Sequence, residues 1–150
     1  MDLGLRDRVA LVTASSKGIG KAIARGLGQE GARLSLCARD EATLAEAANE
    51  LRSAGMDVLA TPGDVSRPAD IERIVDATLA HFGRIDILVC NAGGPPPGNF
   101  LDFPDDGVWE KAFQQNLMSV VRLCRRVIPS MRERRWGRII TVTSISAKEP

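Results

Sequence analysis

The sequence has 150 residues, 44% of them hydrophobic and 26% charged, with a formal charge of +1. These are the proportions of an ordinary folded domain, and they exclude a polybasic nucleic-acid arm or an acidic tail as the organising theme. No apolar run approaches the roughly 18 residues that would cross a bilayer. The opening MDLGLRDRVALVT lacks the small-residue cleavage site of a secretory leader, so a cytoplasmic protein is expected.

The elements alternate along the chain. Arg8–Thr13 is a β-branched apolar run, followed by a Gly-containing turn and a helical stripe through Ile19, Ile23 and Leu27. Arg33–Ala38 reads as a second strand, and Leu44, Ala47, Ala48, Leu51 and Ala54 recur at helical spacing. Asp57–Thr61 is a third strand; Ile71, Ile74, Val75, Thr78, Leu79 and Phe82 form the clearest amphipathic stripe. Arg84–Cys90 is a fourth strand, followed by the Pro/Gly-rich loop Gly93–Asn99. A long helix carries Phe113, Leu117, Val120, Cys124, Val127 and Met131, and Arg138–Thr143 is a fifth strand. Pro129 should kink the long helix by clashing with the carbonyl of Arg125.

Strands separated by helices imply βαβ units, hence an α/β fold with a doubly wound parallel sheet of the Rossmann type, in the order 3-2-1-4-5. Asp40 is placed to cap the second helix, and Ser66 with Pro68 to start the third. Gly31, Gly55 and Gly83 each fall just past a helix, where positive φ is needed. Cys37, Cys90 and Cys124 lie in apolar segments with no CxxC spacing and no nearby His, which reads as reduced core thiols; no metal site is expected. His81 has no partners for catalysis, and the arginines at Arg125, Arg126, Arg132, Arg134 and Arg135 read as a solvated helix end.

Thr13, Ala14, Ser15, Ser16, Lys17, Gly18, Ile19 and Gly20 join the first strand to the first helix. A tight turn at the carboxyl end of a strand leaves the N–H groups and positive dipole end of a helix facing a crevice, which favours an anionic phosphate. Gly18 and Gly20 allow close approach of backbone and ligand and close packing of helix on sheet.

This segment resembles the Thr-Gly-x-x-x-Gly-x-Gly signature of the short-chain dehydrogenase/reductase family, departing from it at Ala14, where a methyl group demands negative φ. Further motifs follow in the family's order. Asp64-Val65 resembles the pair beside the adenine ring, Asn91-Ala92-Gly93 the family's Asn-Ala-Gly, Asn116 its active-site Asn, and Ser144 its catalytic Ser. Ser146 is a nearby competitor for that last role. The style of the motifs is similar to the 3-oxoacyl-acyl-carrier-protein reductase branch.

The end of the second strand bears on the cofactor. An NAD(H) enzyme of this architecture places an acidic residue there for the ribose hydroxyls, whereas this sequence has Arg39 and, one position on, Asp40. Arg39 can pair with a 2′-phosphate through its planar fork, and Lys17 adds a second cation. NADP(H) is therefore expected over NAD(H), with Asp40 as the opposing feature.

The resemblance implies an oxidoreductase acting on a small carbonyl or alcohol substrate, 3-oxoacyl compounds included. Ser144 would donate a hydrogen bond to the carbonyl oxygen, and Asn116 would hold a helix distortion and a water in a proton relay. The family's acid is a Tyr with a Lys one helical turn later. Counted from Ser144 that pair falls beyond Pro150, Lys148 comes too early, and the sequence holds no Tyr. Residues 1–150 are accordingly expected to be a dinucleotide-binding domain lacking its last strands and helices. The alternative is a non-catalytic dinucleotide-binding or regulatory protein of the same fold; a flavodoxin-like signalling domain would leave Asn91-Ala92-Gly93 unexplained. The Gly93–Asn99 loop is placed to shape the substrate entrance. The long helix carries an apolar seam wider than one sheet contact requires, which with the resemblance implies a homodimer or homotetramer.

Overall fold

The computed structural model describes residues 3–94 and 97–145. Five strands pair in parallel in the order 3-2-1-4-5: β1 Val9–Thr13, β2 Arg33–Ala38, β3 Val58–Pro62, β4 Ile87–Cys90 and β5 Arg138–Thr141. The connecting helices are α1 Gly18–Gln29, α2 Glu41–Ser53, α3 Pro68–Phe82, α4 Asp106–Phe113 and α5 Ser119–Glu133.

Alternation along the strands makes two cores. Ala10, Val12, Leu34, Leu36, Ile87 and Val89 face α1 and α2, whereas Leu11, Cys37, Leu88 and Cys90 face α3 and α5. Central parallel strands are buried on both sides, which is why β1 and β4 read as unbroken apolar runs. The β5 edge differs: Ile139 and Ile140 are 38% and 47% exposed. All three cysteines are free thiols, and burial pushes Cys37 and Cys90 up to about 12.

Asp40 caps α2 as expected, and Gly31, Gly55 and Gly83 have positive φ. Other expectations are corrected. Ser66 does not cap α3: Arg67 stands at the cap position without a side-chain bond, and the Ser66 N–H donates instead to Asp64 Oδ1 at 2.9 Å. Ile19 leaves the α1 stripe and is 63% exposed. The long helix is two α-helices joined by a π-helical turn, Gln114–Met118, while α5 runs on through Pro129 to Glu133. The seam divides accordingly, with Phe113 and Leu117 exposed, Val120 and Cys124 half-buried, and Val127 and Met131 buried.

At the amino end of the sheet, Asp86 is fully buried just before β4. Its Oδ2 accepts from Val9 N at 3.0 Å, and its Oδ1 accepts from Arg84 Nε at 2.9 Å. Arg8 and Arg134 approach the same oxygen at 3.9 Å and 3.7 Å. One carboxylate thus satisfies a buried backbone donor and neutralises converging guanidinium groups contributed by both ends of the domain. Asp86→Ala should destabilise the fold by about 3–5 kcal/mol, because it leaves that donor and those charges uncompensated. Asp86→Asn should cost less, since it retains an acceptor for Val9. Urea unfolding of the two variants checks both the size and the order.

Candidate active site

The carboxyl ends of β1, β2 and β4 open onto a cleft of about 560 Å³, lined by Ala14, Ser16, Lys17, Ile19, Arg39 and Asp64 among others. This is where an open α/β sheet binds ligands, because the crossovers on the two sides of β1 part there.

The β1–α1 turn forms its floor. Gly18 has φ +55°, a conformation that favours glycine. Gly20 has no room for a side chain: a Cβ would lie 2.3 Å from Ala14 O and 2.7 Å from Asn91 Nδ2. Lys17 stands at the cap position of α1 with no side-chain cap bond, and the first turn carries no acid. The helix start is therefore left without an internal anion, as a phosphate site requires.

Ala14 corrects the sequence reading, since its φ is +48° despite the methyl group. Its carbonyl accepts from Asn91 Nδ2 at 3.2 Å, which helps hold the turn in place.

Thr13 and Ser15 are buried beneath the cleft rather than lining it. Thr13 Oγ1 donates to Asn91 O at 2.6 Å and accepts from Asn91 N at 2.9 Å, joining the ends of β1 and β4. Ser15 Oγ donates to Val12 O at 2.8 Å and accepts from Cys37 N at 3.1 Å, joining the turn to β2. Both hydroxyls act on the shape of the site.

Ser16, Lys17, Ile19, Arg39, Asp64, Val65, Asn91, Ala92 and Gly93 all line the cleft. Asp64 Oδ1 accepts from Ser66 N, which fixes the turn after β3. Asn116 lies in the π-helical turn, where its Nδ2 donates to Ala112 O at 2.9 Å. Ser144 is exposed three residues past the end of β5. Neither Asn116 nor Ser144 is among the lining residues of the cleft. Ser146, Lys148 and two prolines of the Gly93–Asn99 loop, Pro95 and Pro96, lie outside the described residues.

Sequence reasoning missed Gln115, Thr43 and Gly63, which also line the cleft. Gln115 Nε2 donates to Gly93 O, tying the π-helical turn to the loop after β4. From the other side, Arg122 donates to Gln114 Oε1 at 2.7 Å and to Ser66 O at 3.5 Å. The signal for Gln115 was its position beside Asn116. Thr43 and Gly63 carry none beyond proximity to strand ends.

The family model for short chain dehydrogenases matches residues 8–150. The chain belongs to the short-chain dehydrogenase family. Its sequence is 38% identical over 147 residues to dehydrogenase/reductase SDR family member 4 of Bos taurus, covering 97% of this chain and 52% of that protein. L-sorbose reductase from Gluconobacter frateurii, complexed with NADPH and L-sorbose, superposes with a TM-score of 0.94 at 40% identity. That match covers 100% of this chain and 57% of the other. A variant of actinorhodin polyketide ketoreductase with NADPH gives a TM-score of 0.89 at 39% identity, covering 95% and 55%. This short-chain dehydrogenase chain thus spans about half the length of the curated relatives it matches. Among its described residues no cluster could hold a metal ion, and no helix is long and apolar enough to cross a membrane.

The left-handed Ala14 gives a direct test of the turn. Ala14→Gly should stabilise the fold by about 0.5–1 kcal/mol: relief of the Cβ clash at positive φ outweighs the larger unfolded-state entropy of glycine. A higher urea midpoint at unchanged slope is the expected readout; a lower midpoint would mean that the methyl group contributes more by packing than it costs in strain.

Proposed function

We propose that residues 1–150 form the dinucleotide-binding part of an NADP(H)-dependent reductase, which transfers a hydride between the nicotinamide and a ketone or alcohol substrate. The carrying observation is the cleft at the carboxyl ends of β1, β2 and β4, with an uncapped α1 start and two cations, Lys17 and Arg39, on its wall. The residues present fit a dinucleotide. Gly20 lets the start of α1 close on Ala14 and Asn91, Gly18 faces open space, and neither cation has an acidic partner within salt-bridge distance among the described residues. The NADPH in L-sorbose reductase and in the polyketide ketoreductase supports the same cofactor here.

In this reading, the backbone from Ser16 to Gly20 holds the pyrophosphate, Arg39 and Lys17 hold the 2′-phosphate, and Asp64 and Val65 flank the adenine. Asn91, Ala92 and Gly93 support the nicotinamide half, with Gln115 holding Gly93 in position. The bound nicotinamide supplies or accepts the hydride. Ser144 donates a hydrogen bond to the substrate oxygen and stabilises the negative charge that develops there during reduction. Asn116 keeps the π-helical turn open for the proton path. The Tyr that the family resemblance implies as the acid is not among these residues. A 3-oxoacyl compound is one member of the substrate class, in keeping with the likeness to a polyketide ketoreductase.

Two further assignments belong to this reading. The exposed Phe113 of α4, Leu117 of the π-helical turn, and Val121 and Ile128 of α5 suit a second copy of the chain, giving a homodimer or homotetramer. The free thiols suit a reducing compartment such as the cytoplasm.

Fluorescence titration of the whole protein with NADPH and NADH tests the cofactor. Wild type should bind NADPH more tightly, and Arg39→Asp should move the preference towards NADH by about tenfold or more, replacing a charge-assisted phosphate contact with a repulsive one. An unchanged ratio would remove Arg39 from the site. Ser144→Ala in the whole protein should lower kcat by about 10²-fold or more with little change in cofactor affinity, as expected on losing an oxyanion donor. Undiminished turnover would assign the carbonyl to another group.

A further inference from the structure

The turn after β3 is held from behind by two side chains of α3. Asp70 Oδ2 accepts from Asp64 N at 2.9 Å, and Asp70 Oδ1 accepts from Arg73 at 2.8 Å. Arg73 also donates to Pro62 O at 2.7 Å, so the pair grips the chain on both sides of Gly63. Gly63 N donates to Ala38 O at 2.9 Å, which fixes the same turn to the end of β2. Gly63, Asp64 and Val65 line the cleft, whereas Asp70 and Arg73 are not among its lining residues.

Asp70 does more than serve its own helix. It is the third residue of α3, where an acid in a capping box bonds back to the N–H of the cap residue. Here the cap residue is Arg67, whose N–H donates to Asp64 O at 2.9 Å, and the carboxylate reaches past it to Asp64 N. The Asp64 N–H, and then the Arg73 side chain, hold the Asp70 carboxyl below the usual carboxylate range. It is ionised at neutral pH, so both bonds are charge-assisted. The fit is close: a Cβ on Gly63 would lie 2.9 Å from Ile74 Cδ1 and 3.2 Å from Arg73 Nη2. The turn is therefore seated on α3 by the chain's own side chains.

Resting on the dinucleotide reading above, we propose that Asp70, braced by Arg73, is a positioning residue for the adenine half of the cofactor: it holds residues 63–65 in the shape that receives the ring and does not itself touch the ligand. A turn already held in its bound shape loses less conformational freedom when the ligand arrives, and the difference appears as affinity. Only the adenine half should gain from it. In the same reading the nicotinamide half rests on Asn91, Ala92 and Gly93, and the side chain that holds Gly93 is Gln115.

The test is titration of the whole protein, as wild type, Asp70→Ala, Asp70→Asn and Arg73→Met, with NADPH, with 2′,5′-ADP and with reduced nicotinamide mononucleotide, which lacks the adenosine half. Alanine is the best helix former and Asp70 lies in an outer turn of α3, so the variants should fold. Asp70→Ala should bind NADPH and 2′,5′-ADP about threefold to tenfold more weakly than wild type, the size expected for one lost hydrogen bond. Its affinity for the mononucleotide should not change. Asp70→Asn keeps an acceptor for the Asp64 N–H and should recover most of the loss, while Arg73→Met should show a smaller loss with the same pattern. In turnover, the KM for NADPH should rise in Asp70→Ala while kcat does not fall. Unchanged 2′,5′-ADP binding in Asp70→Ala overturns the inference. So does an equal loss for the mononucleotide, which would mean a general disturbance of the domain. Wild type binding neither NADPH nor 2′,5′-ADP would instead remove the dinucleotide reading, and this inference with it.

Discussion

The carboxyl ends of β1 and β4 are held together by Thr13 and Asn91, and the form of the cleft depends on that junction. Thr13 Oγ1 both donates to and accepts from the Asn91 backbone, and Asn91 Nδ2 reaches the carbonyl of Ala14. The chain then turns into α1 through left-handed conformations at Ala14 and Gly18. The helix consequently sits so close to the strand ends that Gly20 has no space for a Cβ. One local arrangement therefore fixes the position of the helix start, its uncapped amide groups, and the side of the cleft on which Lys17 stands.

The same two strands are secured at their amino ends by a different device. There a buried carboxylate gathers the polar groups: Asp86 joins Val9 to Arg84, with Arg8 and Arg134 close by. Arg8 also stacks over Trp136, 3.9 Å from the ring centroid. At the carboxyl ends the hydroxyls and amides bond among themselves beneath the surface, while Lys17 and Arg39 remain on the cleft wall. The sheet thus has one end closed by its own charges and one end open to a ligand's. A parallel sheet permits this division because all its strands point the same way, so every strand carboxyl end meets the same face of the domain.

Most of the fold was legible because parallel strands buried on both faces leave a plain apolar signature, as the agreement over Arg33–Ala38 illustrates. β4 was read as beginning at Arg84 but begins at Ile87, because Arg84 and Asp86 form the ion pair beneath the sheet and Ile85 is buried without joining the ladder. Periodicity alone could not place Ile19, which has helical spacing but stands on the rim of the cleft. Of the residues lining the cleft, those in the ordered motifs, such as Ser16, Arg39, Asp64 and Asn91, were legible and those contributed by neighbouring turns were not, while the motif residues Asn116 and Ser144 do not line it. Thr43 lies in the first turn of α2, which Asp40 caps, and Gln115 in the π-helical turn, where helical periodicity does not place it. The sequence reading of Ala14 failed for a related reason: a propensity for negative φ is worth about 1–2 kcal/mol, and the contacts around the turn outweigh it.

The π-helical turn connects these threads, because it is where the helix departs from the regular pattern and meets the site. An i→i+5 turn weakens helical hydrogen bonding and persists where other contacts hold it. Here those contacts come from three directions. Gln115 bonds to Gly93 after β4, Arg122 links Gln114 to Ser66 after β3, and Ser119 Oγ donates back to Gln115 O at 2.6 Å. The distortion is thus fastened to both loops that flank one end of the cleft. A shift in either loop must be accommodated by the turn that carries Asn116, and a regular α-helix through Gln114–Met118 would displace Gln115 from Gly93. The irregular winding follows from the site's loops as much as from the helix sequence, which is why an apolar stripe read as one continuous helix could not reveal it.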